Sequence, residues 1–231
     1  VTTSGNQTYS GTMTLGGAVI LTGTTPTFGA FNAATNNLTL NFSGTTELNG
    51  SNLTNLTNLT VGGGGASNII GTISSSAAQL YYDTLNLTGA SNLSGVGINL
   101  TNATTGNSNN LTVGAGTGTA TLAAISGVNI LNVSGTAGII LNNDITTSGN
   151  QTYNNAITLA GSGNRTLNAT NATVTAAGTI NGARGLTIDA GTGAINLSGA
   201  VGTGTALSFT NLTAATINVH NVTTNGTQTY N

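Results

Sequence analysis

Apolar and polar residues alternate along the chain in short bursts. Examples are Leu38-Thr39-Leu40-Asn41-Phe42, Leu186-Thr187-Ile188-Asp189-Ala190, Ile195-Asn196-Leu197 and Ile217-Asn218-Val219. A period of two over about five residues marks a half-buried β-strand. Between the bursts stand Gly, Asn, Ser and Thr, as in Gly62–Gly65 and Ala190-Gly191-Thr192-Gly193, the residue types that turns select. No stretch carries a sustained helical stripe, and Gly, Asn and Thr are poor helix formers, so almost no helix is expected. Three Asn-Leu-Thr triplets at Asn52, Asn55 and Asn58 break the alternation with a local period of three.

A longer period overlies the short one. Val1-Thr-Thr-Ser-Gly-Asn-Gln-Thr-Tyr9 recurs as Ile145–Tyr153 and, with two changes after the first residue, as Val222–Tyr230; a weaker copy is Ile73–Tyr81. These starts divide the chain into modules 1–72, 73–144 and 145–221, with a fourth beginning at 222–231. Repetition of this kind is the signature of stacked architectures. Module 3 splits into segments starting near Ile145, Asn164, Arg184 and Gly204, so each module reads as four coils of about 18 residues, three short strands per coil. Coils need no separate cores, because each buries its face on the next. The expectation is an all-β parallel solenoid, 1–231 as one continuous unit of about 12 coils of 18–20 residues. Because the chain opens and closes on the same motif, it reads as a segment of a longer tandem array.

Composition gives this architecture a cause. Charged residues are 3% of the chain, against about 25% in ordinary soluble domains. There are 47 Thr, 34 Asn and 35 Gly, one Pro and no Cys or Lys. In a parallel coil, equivalent side chains stack about 4.8 Å apart. Two like charges at that distance repel by about 1 kcal/mol in water and more at lower dielectric. Stacked Asn and Thr carry no such penalty and hydrogen-bond from coil to coil. Proline would delete a ladder bond, which agrees with the single Pro26.

Several function classes recede on the same grounds. Two Arg and a net charge of −2 offer no footing on phosphates. No run of 18 apolar residues is present. Asp83, Asp144 and Asp189 are 45–61 residues apart, several coils, too far for a paired-carboxylate site. Arg184 and Asp189 could form a local ion pair. His220 alternates outward and is alone, and the Gly-Gly-x-Gly-x-Asp calcium repeat is absent, so no metal or cofactor is expected and the chain reads as no enzyme. The 21 Asn-x-Ser/Thr triplets could accept glycans, though so much Asn, Ser and Thr produces them by chance.

The recurring Gln-Thr/Leu-Tyr triad is the remaining candidate: Gln7 and Tyr9, Gln79 and Tyr81, Gln151 and Tyr153, Gln228 and Tyr230. It could be a surface row for stacking on sugars, or a repeat marker whose Tyr packs at a coil corner.

Thr146-Thr-Ser-Gly-Asn-Gln-Thr-Tyr-Asn154, the following alternating strand, and Gly185-Leu-Thr-Ile-Asp-Ala-Gly-Thr-Gly193 leading to Gly199-Ala-Val-Gly202 resemble repeats of very large bacterial exoproteins of the filamentous-haemagglutinin type. The resemblance covers module 3 throughout, module 1 at its start and module 2 loosely. It implies a right-handed β-helix, secretion by a two-partner or autotransporter route, an extracellular position at the bacterial cell surface, and a role in adhesion or surface fibres. It brings no catalytic residue to any position here. Partners would be the continuing array, homotypic filament contacts or surface glycans. Self-assembly into fibres and ice or carbohydrate binding are the alternatives; ice binding would need a strict Thr-x-Thr in every coil.

Overall fold

The computed structural model describes all residues, Val1–Asn231. It is a right-handed parallel β-solenoid of about 11 turns, without helix. Every strand pairing is parallel, from Gln7↔Pro26 to Thr210↔Gln228. Each turn contributes one strand to each of three faces. In the first turn these are Gln7–Tyr9, Met13–Thr14 and Val19–Gly23, and Pro26–Phe28 begins the second turn above Gln7–Tyr9. The first and second faces merge for most of the rod, because Ala66–Ser74, Thr84–Ser94, Leu186–Leu197 and Thr210–Val219 run straight across the corner between them. Two of these strands bulge at Gly71 and Gly191. Their φ values of 77° and 52° lie in the left-handed region, which glycine enters freely.

The coil step varies from 18 residues, Ile139 to Ile157, to 24, Leu186 to Thr210. The longer steps add residues without adding strands, so 231 residues make about 11 turns where uniform short coils would make 12.

The core follows from the alternation. On the third face Leu21, Leu40, Val61, Tyr81, Leu100, Leu122, Leu141 and Leu159 stand in register, one per turn, all buried. Each buried aliphatic side chain is worth roughly 1.5–3 kcal/mol against exposure, and 48 buried hydrophobic residues form one continuous cluster along the axis. The period of three in the Asn-Leu-Thr triplets resolves at a corner. Leu53 faces in from the second face and Leu59 from the third, and Asn55, with φ 55°, turns the chain so that Leu56 between them is also buried.

Outside, amides of neighbouring coils pair: Asn58 Nδ2 donates to Asn37 Oδ1 (2.9 Å), Asn154 to Asn132 (2.7 Å) and Asn218 to Asn196 (2.8 Å). Acids face neutral partners at matched height: Asp189 lies between Asn168 and Thr213, and Glu47 accepts from Asn68 at 2.6 Å.

The ladder is interrupted near one end. Pro26–Phe28 and Thr46–Asn49 are neighbours on the first face without ladder bonds, and the second face is also split, after Leu53–Thr54. On this face Gln7, Leu85, Thr104, Ile125 and Thr210 each donate their N–H to the next coil. Pro26 holds the same place and has no N–H to give. A groove of about 290 Å³ opens there, lined by Phe28, Glu47, Leu48, Asn52, Leu53 and Ile70 among others.

Candidate functional site

The Gln–Tyr motif sits at a corner, and its chemistry runs inward. In the third copy the Thr147 hydroxyl donates to Gly149 O (2.6 Å), closing the turn. Gln151 Nε2 donates to Thr147 Oγ1 (3.2 Å) and to Asn168 O in the next coil (2.7 Å), and Tyr153 Oη donates to Gln151 Oε1 (2.9 Å). The other copies repeat the pattern. The Tyr–Gln bond is 2.8 Å at Tyr9, 2.7 Å at Tyr81 and 2.9 Å at Tyr230. The hydroxyl-to-carbonyl bond is 2.9 Å from Thr3 to Gly5, 2.7 Å from Ser75 to Ala77 and 2.8 Å from Thr224 to Gly226. Gln7 reaches Thr22 O at 2.6 Å and Gln79 reaches Ser94 O at 2.8 Å, again in the next coil. Each motif is a clip that fixes a corner, and the first three also tie it upward.

The notion of a surface row is therefore corrected. Gln79, Tyr81, Gln151 and Tyr153 are fully buried, Gln7 is buried and Tyr9 partly so; only Gln228 and Tyr230 in the last coil are exposed. Gln79 occupies a place in the column between Leu59 and Ile98, and Gln151 one between Leu131 and Val174. A Gln tolerates such a place because its amide is satisfied on both ends. Burial also pushes the Tyr81 and Tyr153 phenols far above the ordinary tyrosine range.

Nor do the copies form one axial line. Gln7–Tyr9 lies on the first face, Gln79–Tyr81 on the third, Gln151–Tyr153 on the second and Gln228–Tyr230 on the first again. A module is thus not four whole coils. Turns on the first face begin at Ile145, Arg165, Leu186, Thr210 and Gln228, close to the segment starts read from the sequence, but the motif returns at Val222, one face early.

The charged residues are separate. Asp83 is 1% exposed, held in the glycine corner by Gly64 N–H (3.1 Å) and Ser67 Oγ (3.3 Å). Burial raises its pKa, and those two hydrogen bonds oppose the shift. Arg165 is buried against its own corner, donating from Nε to Ala160 O (2.9 Å) and from Nη2 to Ser162 O (2.6 Å) and Gly163 O (3.2 Å). Its Nη1 lies 3.9 Å from Asp144 Oδ1 in the only ion pair. Arg184 and Asp189 do not pair. Arg184 lies in the corner before the strand Leu186–Leu197 and Asp189 within that strand, where its Oδ1 accepts Gly191 N–H at the bulge (2.9 Å). His220 is exposed, and no three His, Asp or Glu side chains come together. No helix is long and apolar enough to cross a membrane.

No family model matches the chain, and no curated protein or solved structure matches it.

Proposed function

We propose that the chain is a non-catalytic structural rod of a secreted bacterial surface adhesin or extracellular filament, placed outside the cell, where it spaces or displays binding regions. One observation carries this reading: the third face is a single unbroken parallel ladder of nine strands from Val19 to Asn181, backed by one core running the length of the chain. Such a body holds its ends about 50 Å apart at roughly 4.8 Å per turn. Its exterior carries few charges, and the first three Gln–Tyr clips are turned inward.

An ice-binding face has less support. The outward column of the third face reads Ile20, Thr39, Thr60, Leu80, Asn99, Thr121, Ile140, Thr158, Asn181, not a row of Thr.

The test is to place the chain between a surface anchor and a reporter domain and measure reporter height by interferometry. A spacer gives a step of about 50 Å, and another rod of equal length substitutes for it. A collapsed or length-independent height, or saccharide turnover by the isolated chain, overturns the reading.

A further inference from the structure

The motif starts are separated by 72, 72 and 77 residues, yet the number of strand positions between clips is constant. Counting a strand that crosses a corner as two positions, and the isolated bridges at Val201 and Val222 as one each, eleven positions lead from Gln7 to Gln79, eleven to Gln151 and eleven to Gln228. Four full turns would need twelve. Each module therefore ends one face short of four turns. On a right-handed coil the pattern falls back by a third of a turn per module and winds left-handed. Three modules make 11 whole turns and restore the starting face, as Gln7 and Gln228 show.

The longer third module reinforces the count. Its five additional residues fall in coil steps of 23, 21 and 21, from Ile157 to Ile180, Val201 and Val222, and no strand is added. What the repeat keeps constant is the number of strands.

We infer that the module is an exchangeable screw unit: each one advances the rod by about 18 Å and turns it by a third of a turn, so the number of modules sets the direction, as well as the distance, in which anything beyond the rod is presented. The inference requires the three faces to be locally interchangeable, and the clips supply that. The hydroxyl-to-carbonyl and Tyr-to-Gln bonds form at 2.6–2.9 Å whichever face the copy occupies; the glutamine amide finds the motif's Thr hydroxyl on the first and second faces and Ile73 O on the third. Each face also takes the same type of strand, with apolar residues inward at alternate positions. A module read by a partner is accordingly offered in three directions, which suits a flexible or surrounding partner better than a flat lattice.

The use of the screw rests on the rod reading above; the screw itself does not, and its test is separate. Removing residues 73–144 joins Thr72 to Ile145 and puts Gln151 in the place of Gln79. Thr152 then takes the place of Leu80 beside Thr60. With Thr60→Cys and Thr152→Cys in the shortened chain, a disulfide is expected under oxidation. Thr54→Cys with Thr152→Cys, the pair that whole-coil modules would bring together on the second face, is expected to stay reduced. Crosslinking of Thr54→Cys instead, or a shortened chain that does not fold, overturns the exchangeable unit. In the full chain, nitroxides on Thr8→Cys and Leu80→Cys are expected clearly farther apart than the axial rise of about 18 Å, because they lie on different faces. A separation equal to the rise overturns the screw while leaving the rod reading intact.

Discussion

The Tyr153 phenol donates a 2.9 Å hydrogen bond to Oε1 of Gln151, two residues back on the same strand, with both side chains fully buried. Tyr230 makes the same 2.9 Å bond to Gln228 in the last coil, where both are exposed. One chemical pair thus exists in a dry and a wet setting within one chain. Tyr153→Phe leaves a buried amide oxygen without a donor, which costs about 1–3 kcal/mol. Tyr230→Phe returns its oxygen to water and should stay within about 0.5 kcal/mol. Denaturant unfolding of the two variants should separate them; equal losses would mean that the buried bond contributes nothing special.

The same burial predicts how tyrosines titrate. The Tyr81 and Tyr153 phenols are pushed up by desolvation alone. An acid whose folded pKa is raised favours the folded state below its ordinary pKa and loses that contribution as pH rises through and beyond it. Stability should therefore fall as pH climbs past about 10. In an absorbance titration near 295 nm, two of the five tyrosines should ionise only together with loss of the β-sheet circular dichroism signal. Smooth ionisation of all five with the sheet intact would contradict the burial.

Much of this fold is visible in the alternation itself. Leu38-Thr39-Leu40-Asn41-Phe42 has its odd-one-out residues, Thr39 and Asn41, outside and its three apolar residues buried, and parallel stacking accounts for a chain nearly free of charge. Two features resist. Gln is usually exposed, so Gln79 and Gln151 read as surface residues. The signal that they are buried lies in their company, a Ser or Thr four residues before and a Tyr two after, recurring as a trio. The screw is hidden by residue counting, since 72 divides neatly by 18 while corners vary from coil to coil; the eleven appears only when strand positions are counted in the structure. The Asp144–Arg165 pair is 21 residues apart, one coil step, and is legible only once that step is known.

Asp83 is a buried carboxyl in a neutral rod. Its pKa is raised, mainly by desolvation. The protonated form is thus favoured in the folded state, and the stability of the wild-type chain should decline as pH rises from the ordinary carboxylate range through the folded pKa. In Asp83→Asn the amide oxygen can still accept Gly64 N–H, and the amide nitrogen can donate to Ser67 Oγ. This variant should be more stable than wild type at pH 7 and close to it at pH 3–4, where Asp83 is protonated. Melting temperatures at the two pH values check this; an equal shift at both would mean that the charge on Asp83 is not what costs stability.

Pro26 interrupts the first face where the other coils donate an N–H upward. Pro26→Val restores that donor in a β-branched residue suited to an inward strand position. The regained ladder bond contributes about 0.5–1.5 kcal/mol. Against it, the unfolded chain regains freedom that proline had removed, worth about 0.4–1 kcal/mol. The two nearly cancel, so the melting temperature should move little. Local opening should respond instead, because it depends on whether Thr46–Asn49 is joined to Pro26–Phe28. Hydrogen exchange of the Thr46–Asn49 amides is expected to slow by several-fold in the variant, with exchange on the third face near Ile139–Leu141 unchanged. Unaltered exchange at Thr46–Asn49 would show that the missing donor is not what holds the two strands apart, and would place the cause of the groove in the Asn49–Asn52 corner beside it.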